Sequence, residues 1–260
     1  MDSVKDVTTN QSDSAGYDLL DGNLKGVGNT RIQATIGSQK SQSNSSSYAE
    51  VNQGSNINTN NLALIATGAG KDSNININGS NINVTNNALF QADNDFNVSG
   101  VAQNSNTRST NKSSSAAIGG YASTGSGIGI TASASRGKGY ANSDSVTYAN
   151  SQINVGGTST FDIGNDVKIK GGVINTNKAQ GIIGGNVNIE SLQDTSTYDS
   201  NQKNMGFTLD VALEGAGSSL SVNGGKTDIN ADYKAVGQQS GIFTKDGGFD
   251  LSVDGKTTLI

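Results

Sequence analysis

Ser73-Asn74-Ile75-Asn76-Ile77-Asn78-Gly79-Ser80-Asn81-Ile82-Asn83-Val84 decides the fold. Apolar and polar residues alternate with a period of two, which puts all the apolar side chains of a strand on one face. Asn78-Gly79-Ser80 breaks the run, as turn formers do. The pattern extends both ways through Ile57, Leu62 and Leu64, then Phe90, Phe96 and Val98. Ile57 and Ile77, Leu62 and Ile82, and Leu64 and Val84 are each separated by 20 residues. It returns from Ile153 to Ile189, where Ile163 and Ile183, and Ile169 and Ile189, are again 20 apart. A third start lies at Ile242, followed by Phe249, Leu251 and Val253.

About three short strands per 20 residues predicts an all-β fold, a right-handed parallel β-helix of about five turns. Successive turns would stack at the inter-strand spacing of roughly 4.8 Å. A leucine-rich repeat shares the period but needs Leu at several fixed offsets in every repeat. This chain does not supply them.

Composition agrees. The 260 residues contain no Pro, Cys, Trp or His; Gly contributes 35, and Asn, Ser and Thr together 89. Leu, Ile, Val and Phe sum to 54, too few for a thick core but suited to a narrow one. Proline is unwelcome where nearly every backbone N–H joins a ladder. Asn and Gly are expected to take the left-handed corner conformations. Without His or Cys there is no Ser-His-Asp triad, cysteine nucleophile or ordinary zinc site. The net charge of −5 argues against nucleic acid as a partner. No cofactor is expected. Met1 to Asp18 contains no signal-peptide apolar run, and no window is apolar enough for a membrane helix.

Between the parallel turns lie segments of another kind. Ser47-Tyr48-Ala49, Thr147-Tyr148-Ala149 and Asp232-Tyr233-Lys234-Ala235 each precede the Ile that opens a new turn. Within these segments the sequence predicts extruded antiparallel hairpins. Phe207, Leu209, Val211 and Leu213 alternate up to the turn Glu214-Gly215-Ala216-Gly217, and Leu220 and Val222 return. Ile128, Ile130, Ala132 and Ala134 follow Gly119-Gly120 and Gly125-Ser126-Gly127. Tyr17 and Leu19 lead through Asp21-Gly22-Asn23 to Ile32, Ala34 and Ile36. The chain reads as one continuous repeat domain, 1–260, with units 1–98, 99–190 and 191–260. The helical turns would occupy 55–98, 151–190 and 241–260, and the hairpins 10–54, 99–152 and 190–241.

Several stretches resemble a known family. They are Gln239-Ser240-Gly241-Ile242-Phe243, Gly247-Gly248-Phe249-Asp250-Leu251 and Gly255-Lys256-Thr257-Thr258-Leu259. Ile189-Glu190-Ser191-Leu192-Gln193-Asp194-Thr195 with Tyr198, and Leu62-Ala63-Leu64-Ile65-Ala66-Thr67-Gly68, support them. Together they resemble the haemagglutinin-repeat region of filamentous haemagglutinins and contact-dependent growth inhibition exoproteins. The resemblance implies a non-enzymatic fibre segment of a secreted, cell-surface exoprotein. Its implied partners are an outer-membrane two-partner secretion transporter during export, and a target-cell surface or outer membrane. The chain reads as an excerpt of such a protein, since Thr258-Leu259-Ile260 stops inside a turn.

No catalytic, cofactor-binding or metal-binding residue is expected. Asp210, Asp228, Asp232, Asp246, Asp250 and Asp254 lack the nine-residue calcium repeat and read as turn or solvated-edge residues. The scattered acids do not suit a β-helical polysaccharide-degrading enzyme, and an adhesin module remains an alternative. The stacked Asn read as corner and ladder residues, and the three tyrosines as packing where each hairpin returns. Thr107-Arg108-Ser109 and Thr110-Asn111-Lys112 read as solvated strand edges, and Ser135-Arg136-Gly137-Lys138-Gly139 as a small basic turn. Strands of alternating character also suit a membrane, but the favoured expectation is that the hairpins pack along the helix flank.

Overall fold

A computed structural model describes residues 2–18, 31–123, 127–215 and 217–260. The described residues are almost entirely β, apart from one 3-10 turn at Gly70–Asp72. It has two parts, a stack of parallel strands and a sheet of antiparallel hairpins.

The parallel stack contains five passes of the chain. The first pass holds β3 (Asn56–Thr59), β4 (Leu62–Ala66) and β5 (Ile75–Asn78). The second holds β6 (Asn81–Val84), β7 (Ala88–Ala92) and β8 (Phe96–Ser99). In later passes the first two strands run together: β11 (Ser151–Ile163) with β12 (Val167–Lys170), β13 (Gly172–Ile183) with β14 (Val187–Glu190), and β17 (Gly241–Val253) with β18 (Thr257–Leu259). Successive passes pair in parallel, so equivalent side chains form columns. Ile57, Ile82, Ile153, Ile174 and Ile242 make one. Leu64, Phe90, Phe161, Gly181 and Leu251 make another. Ile77, Val98, Ile169, Ile189 and Leu259 make a third.

These columns build one continuous core. At its centre Phe90, Phe96 and Phe161 are fully buried, with ring centroids 5.0, 5.4 and 5.9 Å apart. Gly181 sits above Phe161 with φ +129°, and a Cβ there would come within 1.9 Å of the Phe161 carbonyl oxygen. No larger residue fits that step of the column.

The spacing differs from the sequence expectation in the first pass. Ile57 stacks on Ile82 and Leu64 on Phe90, not on Ile77 and Val84. The loop carrying the 3-10 turn lengthens that pass, so Asn83 bonds Asn58 across 25 residues. The interval of 20 holds between the third and fourth passes, where Ile163 pairs with Ile183 and Ile169 with Ile189. The corners also depart from expectation. Among the described residues every positive φ belongs to Gly, so no Asn takes a left-handed conformation.

The hairpins are β1 (Asp2–Asp18) with β2 (Arg31–Val51), β9 (Val101–Ser123) with β10 (Gly127–Ala149), and β15 (Gln193–Glu214) with β16 (Ser219–Val236). They lie side by side as one six-stranded sheet, β1-β2-β9-β10-β15-β16. Pairing between hairpins is as long as pairing within them. β2 meets β9 from Arg31–Ser123 to Ala49–Ser105, and β10 meets β15 from Ile128–Glu214 to Val146–Thr195. Gly215 and Gly217, at φ +102° and +101°, form the third turn where the sequence places it. Leu19, Asp21-Gly22-Asn23, Gly125-Ser126 and Ala216 lie outside the described residues.

Candidate functional surface

On the parallel stack the outward positions are amides and hydroxyls. Asn58, Asn83, Asn154 and Asn175 align over four passes, and each amide donates to the carbonyl oxygen of the one before, at 2.9, 3.0 and 2.9 Å. At a corner, Asn74 Oδ1 accepts from the Asp95 N–H, Asp95 Oδ1 from Asp166, Asp166 Oδ1 from Asn186, and Asn186 Oδ1 from Lys256. The ladder reading of these residues therefore has a definite geometry. A side-chain oxygen on one pass serves the backbone of the next. The Asn186 N–H and Lys168 hold the Asp166 carboxyl below its usual range, with the N–H the larger cause.

A shallow groove of about 560 Å³ runs beside the amide column, lined by Asn58, Asn83, Asn154, Asn175 and Lys245. Among the described residues its lining holds no carboxylate. Among the described residues no group of three or more acidic side chains is placed to hold a metal ion. No helix among them is long and apolar enough to cross a membrane, which leaves strands unaddressed.

The hairpin sheet has two unlike faces. Residues directly opposite across strands share a face, as do residues two apart along a strand. Toward the free ends, one face carries Ile36, Ile118, Ala132, Leu209 and Leu220 in one row, and Ser38, Ala116, Ala134, Phe207 and Val222 in the next. This apolar face is open: Leu220 is 66% exposed and Val222 74%. It is not the covered side of the sheet, contrary to what simple flank packing would require.

The other face carries a clasp between hairpins. Arg31 on β2 makes two 2.8 Å hydrogen bonds to Asp210 on β15, and its guanidinium lies 4.0 Å from the Tyr121 ring centre. Gly129 leaves room for that ring, since a Cβ there would sit 2.4 Å from Tyr121 Cζ. Asp210 is thus no solvated edge. Arg31 holds its carboxyl below the usual range, and Asp210 raises the guanidinium in turn.

The basic segments also differ from their reading in sequence. Arg108 and Lys112 lie in β9, an interior strand, and Ser135-Arg136-Gly137-Lys138-Gly139 is extended strand within β10, not a turn. Lys112, Lys138, Lys203 and Lys226 stand directly opposite one another on four neighbouring strands. Arg136 and Lys40 lie two residues nearer the free ends on the same face. Tyr233 is 59% exposed rather than packed at the hairpin's return.

The architecture is that of an elongated repeat protein, with each pass of a narrow core contacting only its neighbours. The family model described as hemagglutinin repeat matches residues 36–207. The chain belongs to this family and is a haemagglutinin-repeat region of the kind carried by secreted, cell-surface exoproteins of contact-dependent growth inhibition. It is 33% identical over 235 residues to a tRNA nuclease CdiA of Yersinia mollaretii, a match covering 88% of this chain and 8% of that protein. It is 31% identical over 237 residues to a tRNA nuclease CdiA of Escherichia coli, covering 88% and 7%. A deoxyribonuclease CdiA of Yersinia pseudotuberculosis is 28% identical, with 88% and 21% covered. The chain therefore spans only a small part of these relatives, and the stretch it matches is repeat segment rather than nuclease. No solved structure matches it significantly.

Proposed function

We propose that this chain is a non-enzymatic structural segment of a secreted bacterial surface filament, which presents or helps deliver a distal tip or toxin. The observation that carries this reading is the set of side-chain columns kept in register over five passes. Such a stack lengthens by roughly 4.8 Å per pass and gains rigidity from backbone pairing rather than from a thick core. We read its winding as a right-handed parallel β-helix. Its units are 1–98, 99–190 and 191–260, each combining a hairpin with parallel passes. Its partners are an outer-membrane two-partner secretion transporter during export and the surface or outer membrane of a target cell.

Removing the segment from a whole exoprotein tests this. Electron microscopy should show a filament about 24 Å shorter, at roughly 4.8 Å for each of its passes. Target-cell killing should fall, while the toxin keeps its activity in a cell-free assay. A filament of unchanged length with full delivery would sink the proposal. A strand-resolving map would decide the hand.

The open apolar rows favour a second reading, in which the hairpin ends enter a target membrane. Absence of any association with zwitterionic liposomes, even at low salt, would remove it.

A further inference from the structure

We propose that Asn223-Gly224 is a modification site, at which the side-chain amide is lost without an enzyme and the outer end of β16 is released from β15. The chain has two Asn-Gly pairs, Asn78-Gly79 and Asn223-Gly224. The dipeptide is reactive because glycine puts no side chain beside its backbone nitrogen. That nitrogen attacks the asparagine Cγ. The new C–N bond closes a succinimide ring, the Cγ–Nδ2 bond breaks, and Nδ2 leaves as ammonia with the glycine proton. Water then opens the ring at either carbonyl. One product is aspartate. The other is isoaspartate, in which the main chain runs through the former side chain. The sum is asparagine plus water giving aspartate or isoaspartate plus ammonia, and no oxidant or reductant takes part. Each conversion adds a negative charge to a chain whose net charge is already −5.

The fold treats the two pairs differently. Both asparagines are exposed, so access of water does not separate them. At Asn78-Gly79 the attacking nitrogen is occupied, because the Gly79 N–H donates to the Ser99 carbonyl oxygen at 2.9 Å. The Asn78 amide is held as well, since its Oδ1 accepts from the Ser99 hydroxyl. Gly79 is fixed at φ +56°, against the Val101 side chain. Asn223 lies in β16, where every residue but Ala235 is exposed. Its side chain makes no hydrogen bond among the described residues, and its Oδ1 lies over Gly206, which has no side chain to hold it. Gly224 and Gly225 follow, opposite Met205 and Asn204, and glycine weakens a strand interior. The place of the site gives the reaction a consequence. Between it and the turn lie the pairs Val222–Phe207, Ser221–Thr208, Leu220–Leu209 and Ser219–Asp210. Isoaspartate lengthens the main chain by one carbon, and the facing of side chains depends on register. Leu220 and Val222 then leave the open apolar rows, and Ser219 leaves Asp210 of the clasp. This inference does not rest on the filament reading.

Ageing the 260-residue chain in mildly alkaline buffer, with peptide mass spectrometry over time, tests the site. Deamidation should accumulate at Asn223, and an isoaspartyl methyltransferase should label the product. Asn78 should convert more slowly by roughly a factor of ten or more, because two hydrogen bonds must open first. In guanidinium chloride the two sites should convert at similar rates, which assigns the difference to the fold. N223Q should abolish conversion in β16. G224A should slow it, and the strand accommodates that variant, since a Cβ there meets nothing nearer than the Asn204 carbonyl oxygen at 3.7 Å. In the aged chain, amide exchange should quicken at residues 219–222 and stay unchanged at 232–236. N223D carries the charge without the added carbon and should change neither. Native conversion of Asn78 as fast as Asn223 would overturn the proposal. So would an Asn223 that survives in the native chain while the denatured chain converts. Unchanged exchange at 219–222 in the isoaspartate form would overturn the release of the strand end.

Discussion

The parallel stack and the hairpin sheet draw on the same few residue types, yet they are stabilised differently. In the stack each inward side chain is covered by its equivalents on the passes above and below, and Phe90, Phe96, Phe161, Ile153 and Ile169 are at or near full burial. On the apolar face of the sheet the large side chains stay open: Phe207 is 44% and Ile118 56% exposed. One part is held by a core, the other by backbone pairing and by side-chain links such as the Arg31–Asp210 clasp and the Asn104–Glu50 bond. The difference is between strands that have a second and third wall and strands that have none.

Substitutions should separate the two parts clearly. Phe161→Ala opens the centre of the aromatic trio and should cost about 3–5 kcal/mol, visible as a large fall in thermal midpoint. The matching change in the sheet, Phe207→Ala, should cost under about 1 kcal/mol, because an open aromatic loses little contact. Similar losses from the two would break the contrast.

The clasp comes next. Asp210→Asn removes a charge from two short hydrogen bonds and should cost about 2 kcal/mol, read by faster hydrogen exchange at the joined hairpins. Its pH dependence has a definite sign. Asp210 has its carboxyl depressed by Arg31, so its contribution is complete above the ordinary carboxylate value of about 4. It is lost as pH falls below that value through the depressed one. Acid should loosen the hairpin ends, and the Asn variant should show less of that acid loss.

Asn154→Ala breaks the amide column in its middle, removing both the bond to Asn83 and the bond from Asn175. A loss of about 1–2 kcal/mol is expected from two neutral hydrogen bonds. Asn58→Ala, at the end of the column, loses one bond and should cost about half as much. Equal costs would mean that the column does not act as a chain of bonds. Val222→Thr, on the open face, should shift stability by no more than about 0.5 kcal/mol.

How much of this was legible follows from the range of each interaction. Alternation such as Ile75-Asn76-Ile77-Asn78 is local, so strands and inward faces could be read directly. The intervals Ile163–Ile183 and Ile169–Ile189 gave true columns because a short turn joins those passes. Ile57–Ile77 gave a false one, since periodicity cannot reveal that a loop has been lengthened. The lysine row was hidden because Lys112, Lys138, Lys203 and Lys226 meet only when the register of two hairpins and of their junction is known. Arg31 and Asp210 are separated by 179 positions, with no local pattern to join them.

The order of pairing has a consequence for assembly. After the first hairpin and the first pass, each new strand pairs with one that precedes it in the chain: β9 with β2, β11 with β6 and β7, β13 with β11, β15 with β10, β17 with β13. Long closures are slow when both ends must search for each other. Here the earlier strand is already fixed in place when its partner becomes available. The molecule can therefore be laid down in the order in which its residues arrive, each pass serving as the template for the next, with the second pass open until β11 arrives and the fourth until β17 arrives.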